Sequence, residues 1–482
     1  MKKWGVIGIL AITLTACSLA PKYQRPEMSI PDHYQEAGKW IPVNTTAADI
    51  SHGPWWEIYQ DQALNALESK VTLANQNLKL AFYRYQEARA LAQVARSAYY
   101  PTILGIGNAD RQSASGNIAN VPNNSLFNDT LIGADFSYEV DVFGRVRNSV
   151  RASESSAKAS AADLAAVNLS SHAELASDYF SLRGSEAQLQ VLERTVAVYK
   201  KALDLTIQRH RGGAAPEADV DQAKTQYENA KTLTTETRLK IAQLQHAIAV
   251  LIGEAPADFT LGRATAPLKN IMITPYLPST LLERRPDIAA AALRVEAANA
   301  NIGVARAAFF PHFNLITAIG FESQSLSQLI SMPSLFWSLG SATALTTVQP
   351  AASVVLFDGG KVRGLLNQAN AVYFQTVAQY RQTVLTALQE VEDNLVAIHR
   401  LDQENKTQTA ATIAARRALQ QAQYRYSGGI ATFLDIVVTE NTALQAELAS
   451  VDIKTRRLVA SVQLIKALGG GWSIECLECL PK

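Results

Sequence analysis

Two periods of apolar patterning take turns along this chain, and the sequence of turns runs twice. From Pro54-Trp55-Trp56 to about Tyr99 apolar positions recur at helical spacing, until Pro101 removes a backbone donor and ends the run. Ile103, Gly105, Gly107 and Ala109 then alternate with Leu104, Ile106, Asn108 and Asp110. Beyond a polar loop over 113–128, the even positions Ile132, Ala134, Phe136, Tyr138 and Val140 are apolar, while the odd ones from 133 on are small or charged. Val146 to about His210 is uninterrupted helix former, with Leu182, Leu189, Val196 and Leu203 seven apart and Leu192 and Tyr199 between them, the spacing of a coiled-coil seam. Roughly 65 residues at ~1.5 Å each give a rod on the order of 100 Å. Arg211-Gly212-Gly213 stops it, and Pro216-Glu217 starts a return helix carrying Ile241, Leu244, Ile248 and Leu251.

The order then repeats. Leu281–Ala308 is a shorter incoming helix, Pro311 plays the part of Pro101, and Phe313, Leu315, Thr317, Ile319 and Phe321 alternate with Asn314, Ile316, Ala318, Gly320 and Glu322. A return strand is expected around Val348–Leu356. The intervening loop holds Leu329-Ile330, Met332-Pro333 and Leu335-Phe336-Trp337, which suits either a tip dipping into an interface or a short packed helix. A helix from about Val362 to Tyr426, with Val377, Val384 and Val391 seven apart, ends at Gly428-Gly429. Phe433-Leu434-Asp435 opens the last helix, which Gly469-Gly470-Gly471 stops. Tyr99 and Phe309 are 210 residues apart and Gly144 and Gly360 are 216 apart, so the chain reads as two copies of one helix-hairpin-helix unit with a small indel. The first copy spans 55–252, with its hairpin at about 101–141. The second spans 281–468, with its hairpin at about 311–358. A Pro-rich connector over 253–280 joins them, and a tail over 469–482 follows.

Strands of about ten residues cross a bilayer when tilted, and alternation gives each strand one face for lipid and one for water. Four such strands cannot close a barrel, and an open edge in lipid leaves backbone groups unpaired. Composition narrows the picture further. With 44 Lys+Arg against 43 Asp+Glu the formal charge is +1, which gives no general affinity for nucleic acid. Beyond the N-terminus no apolar run is long enough for a helical span.

Met1-Lys2-Lys3, an apolar run from Trp4 to Leu14 and Thr15-Ala16-Cys17 form an export signal over 1–16, and Leu14-Thr15-Ala16-Cys17 resembles the bacterial lipobox. Cys17 is therefore expected to be lipidated, with Ser18 after it favouring the outer membrane, and the Pro-rich stretch over 17–54 reads as an extended arm. Trp55 and Trp56 suit either an interfacial belt or packing of that arm. Cys476 and Cys479 suit a structural disulfide or two tail thiols better than a redox pair. His172, His210, His246 and His312 lack metal-ligand spacing, and no nucleophile constellation or phosphate loop stands out.

The lipobox, the Pro-marked helix-to-strand junctions, the glycine-bearing strand-to-helix junctions and two Gly-containing turns that each restart with an Asp-bearing helix together resemble the TolC/OprM family of bacterial outer-membrane efflux channels, in its lipoprotein branch. The resemblance covers essentially the whole mature chain. It implies an α+β membrane protein with the outer membrane factor fold: a homotrimer whose chains each give four strands to one twelve-strand β-barrel, continued by a long α-helical periplasmic barrel. It further implies a passive exit duct for drugs, metal ions or other small solutes. That duct would be fed by an inner-membrane RND-type transporter through a periplasmic adaptor, with outer-membrane lipid around it. No cofactor is implied beyond diacylglycerol and N-acyl lipid on Cys17.

By the same resemblance the channel gate falls on Tyr426, Arg425, Leu434, Asp435 and Val438 at one helix turn and on Asp219 at the other. The bland alternative for both aspartates is a charge on a first helical turn. Where the family often has a second acid and an arginine, this chain has Val438 and Ala431, so an apolar constriction by Leu434 and Val438 is expected to supplement the acidic ring. The turns themselves, with Arg209, Arg211, Gly212, Gly213, Gly428 and Gly429, resemble the adaptor-contact tips. Arg284-Arg285-Pro286-Asp287 resembles a family signature and is read as capping and salt bridging. The readings left beside an efflux duct are a type I protein-secretion duct and a non-pore coiled-coil lipoprotein.

Overall fold

The computed structural model describes residues 18–37, 54–113, 126–263, 284–339 and 351–473. The signal peptide, Cys17, most of the connector, Cys476 and Cys479 lie outside the described residues. Helices α1 (Gln62–Ala74), α2 (Gln76–Ser97), α3 (Arg145–Arg211) and α4 (Glu217–Leu251) surround strands β1 (Thr102–Ser113) and β2 (Leu126–Val140) in sequence. The second copy has α5 (Pro286–Ala307), β3 (His312–Ser323), β4 (Leu335–Leu339), β5 (Ala351–Ser353), α6 (Lys361–Ser427) and α7 (Phe433–Ala467). The duplication is residue-exact in length: α3 and α6 both have 67 residues, and α4 and α7 both have 35. No described helix is long and apolar enough to cross a membrane.

One compact unit holds residues 1–27, 85–160 and 291–381. At the end of α2, Tyr99 and Tyr100 N–H groups donate to Arg96 and Ser97 carbonyls, and after α5 Phe309 and Phe310 donate to Arg306 and Ala307 in the same way. Each tightened turn delivers a strand. β1, β2, β3 and β4 lie in that order in one antiparallel sheet, and β5 also pairs with β3. Leaving the sheet, Asp141 accepts from the N–H groups of Val146 (3.0 Å) and Arg147 (2.9 Å), while Asp358 accepts from Gly360 (2.8 Å) and Val362 (2.7 Å). Each carboxylate thus satisfies orphan donors at the start of a 67-residue helix. The arm after Cys17 lies on this unit: Asn299 donates to the Pro21 carbonyl (2.8 Å), Tyr23 to that of Ala292 (3.2 Å), and Arg25 to the Tyr380 hydroxyl (3.0 Å).

The other unit holds residues 28–84, 161–290 and 382–482. Its main core joins Leu64, Leu67 and Val71 of α1, Leu175, Tyr179 and Leu182 of α3, Ile248 of α4, Val391 and Leu395 of α6, and Leu458, Val462 and Ile465 of α7. Every heptad position cited above from α3 and α6 is buried or half-buried. Arg285 is buried and binds Asp287 (2.7 Å), Glu390 (2.7 Å) and the Ala467 carbonyl (3.0 Å), which fastens the start of α5 to α6 and α7. The signature's salt-bridging part is carried by this residue.

Two expectations change. The helix read as continuous from 54 to 99 is three pieces: a 3₁₀ turn at Trp55–Tyr59, then α1 and α2, broken at Asn75. Asn75 is buried, donates to the Leu251 carbonyl (2.8 Å) and accepts from Leu78 N–H (2.9 Å), so its side chain replaces the helical hydrogen bonding that the break removes. In the second hairpin, Leu335-Phe336-Trp337 belongs to β4 and not to a packed helix. β4 and β5 both pair antiparallel with β3, Thr317 opposite Leu339 and Asn314 opposite Ala351. Leu335, Phe336 and Trp337 are all apolar, so no period-2 alternation marks β4 in the sequence.

Candidate channel wall and gate

The register merges the separate alternations into two faces. Directly opposite residues of antiparallel strands point to the same side. Ile103, Gly105 and Gly107 of β1 therefore share a face with Ile132, Ala134, Phe136, Tyr138 and Val140 of β2. The same face takes Phe313, Leu315, Thr317, Ile319 and Phe321 of β3, and Leu335 of β4. The reverse face carries Asn108, Asp110, Asp129, Asp135, Glu139, Asn314 and Glu322 among Leu104, Ile106, Leu131 and Ile316, while Arg111 and Asn128 lie at the hairpin-tip end of the first face. One largely apolar face and one that holds all the sheet's carboxylates is the pattern of a wall between lipid and a wet lumen. On the polar side Arg145 pairs with Glu139 through two nitrogens, the longer of the two contacts being 2.6 Å. Among the described residues β1 has a strand neighbour on one side only, and β3's second neighbours are short, so both edges of the sheet are open there.

In the helical unit the two helix turns repeat one backbone motif. Gly212, Gly213 and Ala214 donate to the carbonyls of Gln208, His210 and Arg209, at 3.0, 2.9 and 2.7 Å. Gly428, Gly429 and Ile430 donate to those of Tyr424, Tyr426 and Arg425, at 3.0, 3.0 and 2.8 Å. Gly213 and Gly429 both have φ +74°, left-handed backbone that only glycine adopts freely.

The side chains differ. Thr432 caps α7 and forms a reciprocal box with Asp435, whose Oδ2 accepts from the Thr432 N–H and hydroxyl, both at 2.9 Å. These donors, with the Arg425 charge, hold the exposed Asp435 carboxyl below the usual range. Leu434 and Val438 stand one turn apart, each more than half exposed, and Ile430 and Tyr424 add exposed apolar surface. At the first turn Pro216 begins α4 without a side-chain cap, and Asp219 donates its N–H to the Pro216 carbonyl (3.2 Å).

A small core joins the turns. Leu203 of α3, Ala223 of α4 and Phe433 and Val437 of α7 are buried together, with Ile207, Val220, Tyr227 and Tyr426 against them. Tyr426 packs on Phe433 with ring centroids 5.9 Å apart, and the Arg209 guanidinium lies 4.8 Å from the Tyr426 ring centre. The gate and tip residues read from sequence are thus linked through Tyr426 and Arg209, while Arg211, Gly212, Gly213, Gly428 and Gly429 are exposed. Sequence reading missed Glu440. It is buried on α7 near Tyr199 of α3 and hydrogen-bonded to Gln423 of α6, and burial pushes its carboxyl up to about 7. Its signal was an acid one turn beyond Ile436 and three residues beyond Val437, on the apolar stripe. Thr432-x-x-Asp435 likewise spelled a capping box.

Comparison with known proteins agrees with this geometry. The family described as outer membrane efflux protein matches twice, over residues 67–254 and 277–470, one match for each copy of the repeat. The chain is 31% identical over 473 residues to outer membrane protein OprJ of Pseudomonas aeruginosa, covering 97% of this chain and 96% of that one. It is 29% identical over 466 residues to cation efflux system protein CusC of Escherichia coli, covering 96% and 97%. Among solved structures, a membrane protein from Pseudomonas aeruginosa superposes with TM-score 0.86 at 30% identity, over 95% of this chain and 98% of that one. The chain belongs to the outer membrane efflux protein family, and is an outer-membrane channel of an efflux system and not an enzyme.

Proposed function

We propose that three copies of this chain close one twelve-strand barrel and one helical tube, forming the exit duct of a tripartite pump that opens and shuts at the two helix turns. The observation that carries this reading is the four-position sheet with an apolar face, an acidic face and two open edges. Its unpaired backbone groups need neighbours, and in lipid only closure supplies them. In the trimer Asp435 and Asp219 form acidic rings that favour cations, and Leu434 and Val438 narrow the bore beside them. Tyr426 and Arg425 hold the turn that carries them. Arg209, Arg211 and the Gly212-Gly213 and Gly428-Gly429 turns receive a periplasmic adaptor, through which an inner-membrane RND-type transporter delivers its cargo. Cys17 carries the lipid, and the arm along Ser18–Arg25 leads from it onto the sheet unit.

A passive duct takes its selectivity from the pump that feeds it. Drugs, small solutes and metal ions are all suitable cargo, the last in line with a relative named for cation efflux.

Purified protein should have the mass of a trimer in detergent and conduct in planar bilayers. Asp435→Ala should raise conductance and lower cation preference. Asp435→Asn, which keeps a cap acceptor without the charge, should lower cation preference alone. A monomer without conductance would sink the duct reading, whereas unchanged selectivity in both variants would remove the acidic ring from it.

A further inference from the structure

The second hairpin ends in a segment built for lipid. No Asp, Glu, Lys, Arg or His occurs from Ser323 to Phe357, a stretch of 35 residues. Within it Leu326, Ile330 and Met332 are 79%, 81% and 83% exposed, and Leu335, on the apolar face of the sheet, is 42% exposed. A tip that floats in water has no reason to exclude charge while exposing four large apolar groups.

Its serine hydroxyls are engaged internally. The Ser331 and Ser334 hydroxyls both donate to the Gln328 carbonyl, at 2.7 and 2.8 Å, and also contact each other at 3.0 Å. Ser325 and Ser327 hydroxyls pair at 3.2 Å. Backbone N–H groups of Gln328, Leu329 and Ser334 donate to Ser325, Leu326 and Ser331 carbonyls. Internal satisfaction of this kind is what entry into a poorly hydrogen-bonding medium demands.

We infer that the tip Leu326–Met332 seats in the lipid leaflet at the hairpin-tip end of the barrel and acts as an interfacial anchor. The partner is the bilayer itself, at the boundary between headgroups and acyl chains. Continuity favours lipid over the lumen: the tip runs directly into Leu335, which lies opposite Phe321 on the apolar face, whereas the lumen side of the same sheet end carries the three acids Asp110, Asp129 and Glu322; Arg111, Asn128 and Thr130 on the apolar side are the polar groups that a headgroup boundary accommodates. The inference rests on the apolar face being the lipid face.

The test is site-directed nitroxide labelling of the full chain with Cys476→Ser and Cys479→Ser, reconstituted in phosphatidylcholine/phosphatidylglycerol vesicles. Labels at Ile330→Cys and Met332→Cys should collide several-fold more with oxygen than with a water-soluble nickel chelate, as a label at Leu315→Cys on the strand should. Chelate-accessible labels at 330 and 332 beside a lipid-like 315 would overturn the anchor and leave the barrel standing. Low access to both reagents would also overturn it, since the tip would then be packed on protein. A water-like 315 would bring down the barrel reading itself.

Discussion

At the first helix turn Glu217, Asp221 and Lys224 occupy the places that Phe433, Val437 and Glu440 occupy 216 residues later, and the six side chains sit in opposite environments. The first three are exposed and the second three buried. Since the two turns share one hydrogen-bond pattern and one φ, the backbone motif only reverses the chain. The side chains decide which helix is held. α7 is pinned at its first residues by the core with Leu203 and Ala223, so any opening that moves the second turn must break that core. α4 contributes Ala223, Val220 and Tyr227 to it, while Glu217, Asp221 and Lys224 of its first two turns face outward. On the proposed gating the latch falls to the second copy, and the largest test of that is Phe433→Ala. Removing a buried aromatic costs about 3 kcal/mol or more, whereas Glu217→Ala at the equivalent place should fall within about 0.5 kcal/mol. Hydrogen exchange at the start of α7 and of α4 in the two variants checks the difference.

Glu440 sharpens the contrast because its counterpart Lys224 is in water. Burial raises the Glu440 carboxyl from 4.5 to about 7. A raised carboxyl favours the neutral form in the fold, so its contribution is full below pH 4.5 and disappears as pH rises through about 7. Ionising it inside the turn core therefore loosens α7 by roughly 3 kcal/mol. Glu440→Gln should make exchange at α7 independent of pH across that window, while Lys224→Gln leaves the wild-type dependence in place. A wild-type protein with the same α7 protection at pH 5 and pH 8 would remove the effect.

How these features show in the sequence differs with their physical origin. Helix lengths, the duplication and the strand faces were legible because each depends on a local period, and the match of 67 and 35 residues in both copies follows from it. The break at Asn75 was not, because no Gly or Pro marks it. A buried amide does the work there, through a carbonyl 176 positions away. β4 was hidden because Leu335, Phe336 and Trp337 are apolar in succession and show no alternation. At the second helix turn, Asp435 and Tyr426 are proposed for the gate by resemblance, but the environment of Glu440 depends on α3 and α6 packing over it, which no single-helix pattern reveals.

The smallest effect belongs to a pair of arginines. Arg209 and Arg425 are equivalent by the same 216-residue offset, yet Arg209 reaches across to the Tyr426 ring of the other turn, 4.8 Å from its centre, while the Arg425 charge acts on Asp435 of its own turn. One arginine ties the two helix pairs together and the other braces a single pair. A double-mutant cycle of Arg209→Ala with Tyr426→Leu should give a coupling of about 0.5–1 kcal/mol, the worth of a cation over an aromatic face at a partly exposed site. Arg425→Ala with Tyr426→Leu should give none, and Arg425→Ala alone should let the Asp435 carboxyl rise toward its ordinary value. Equal coupling from both arginines would mean that the turns are symmetric after all, and that the latch lies in the Phe433 core without help from charge.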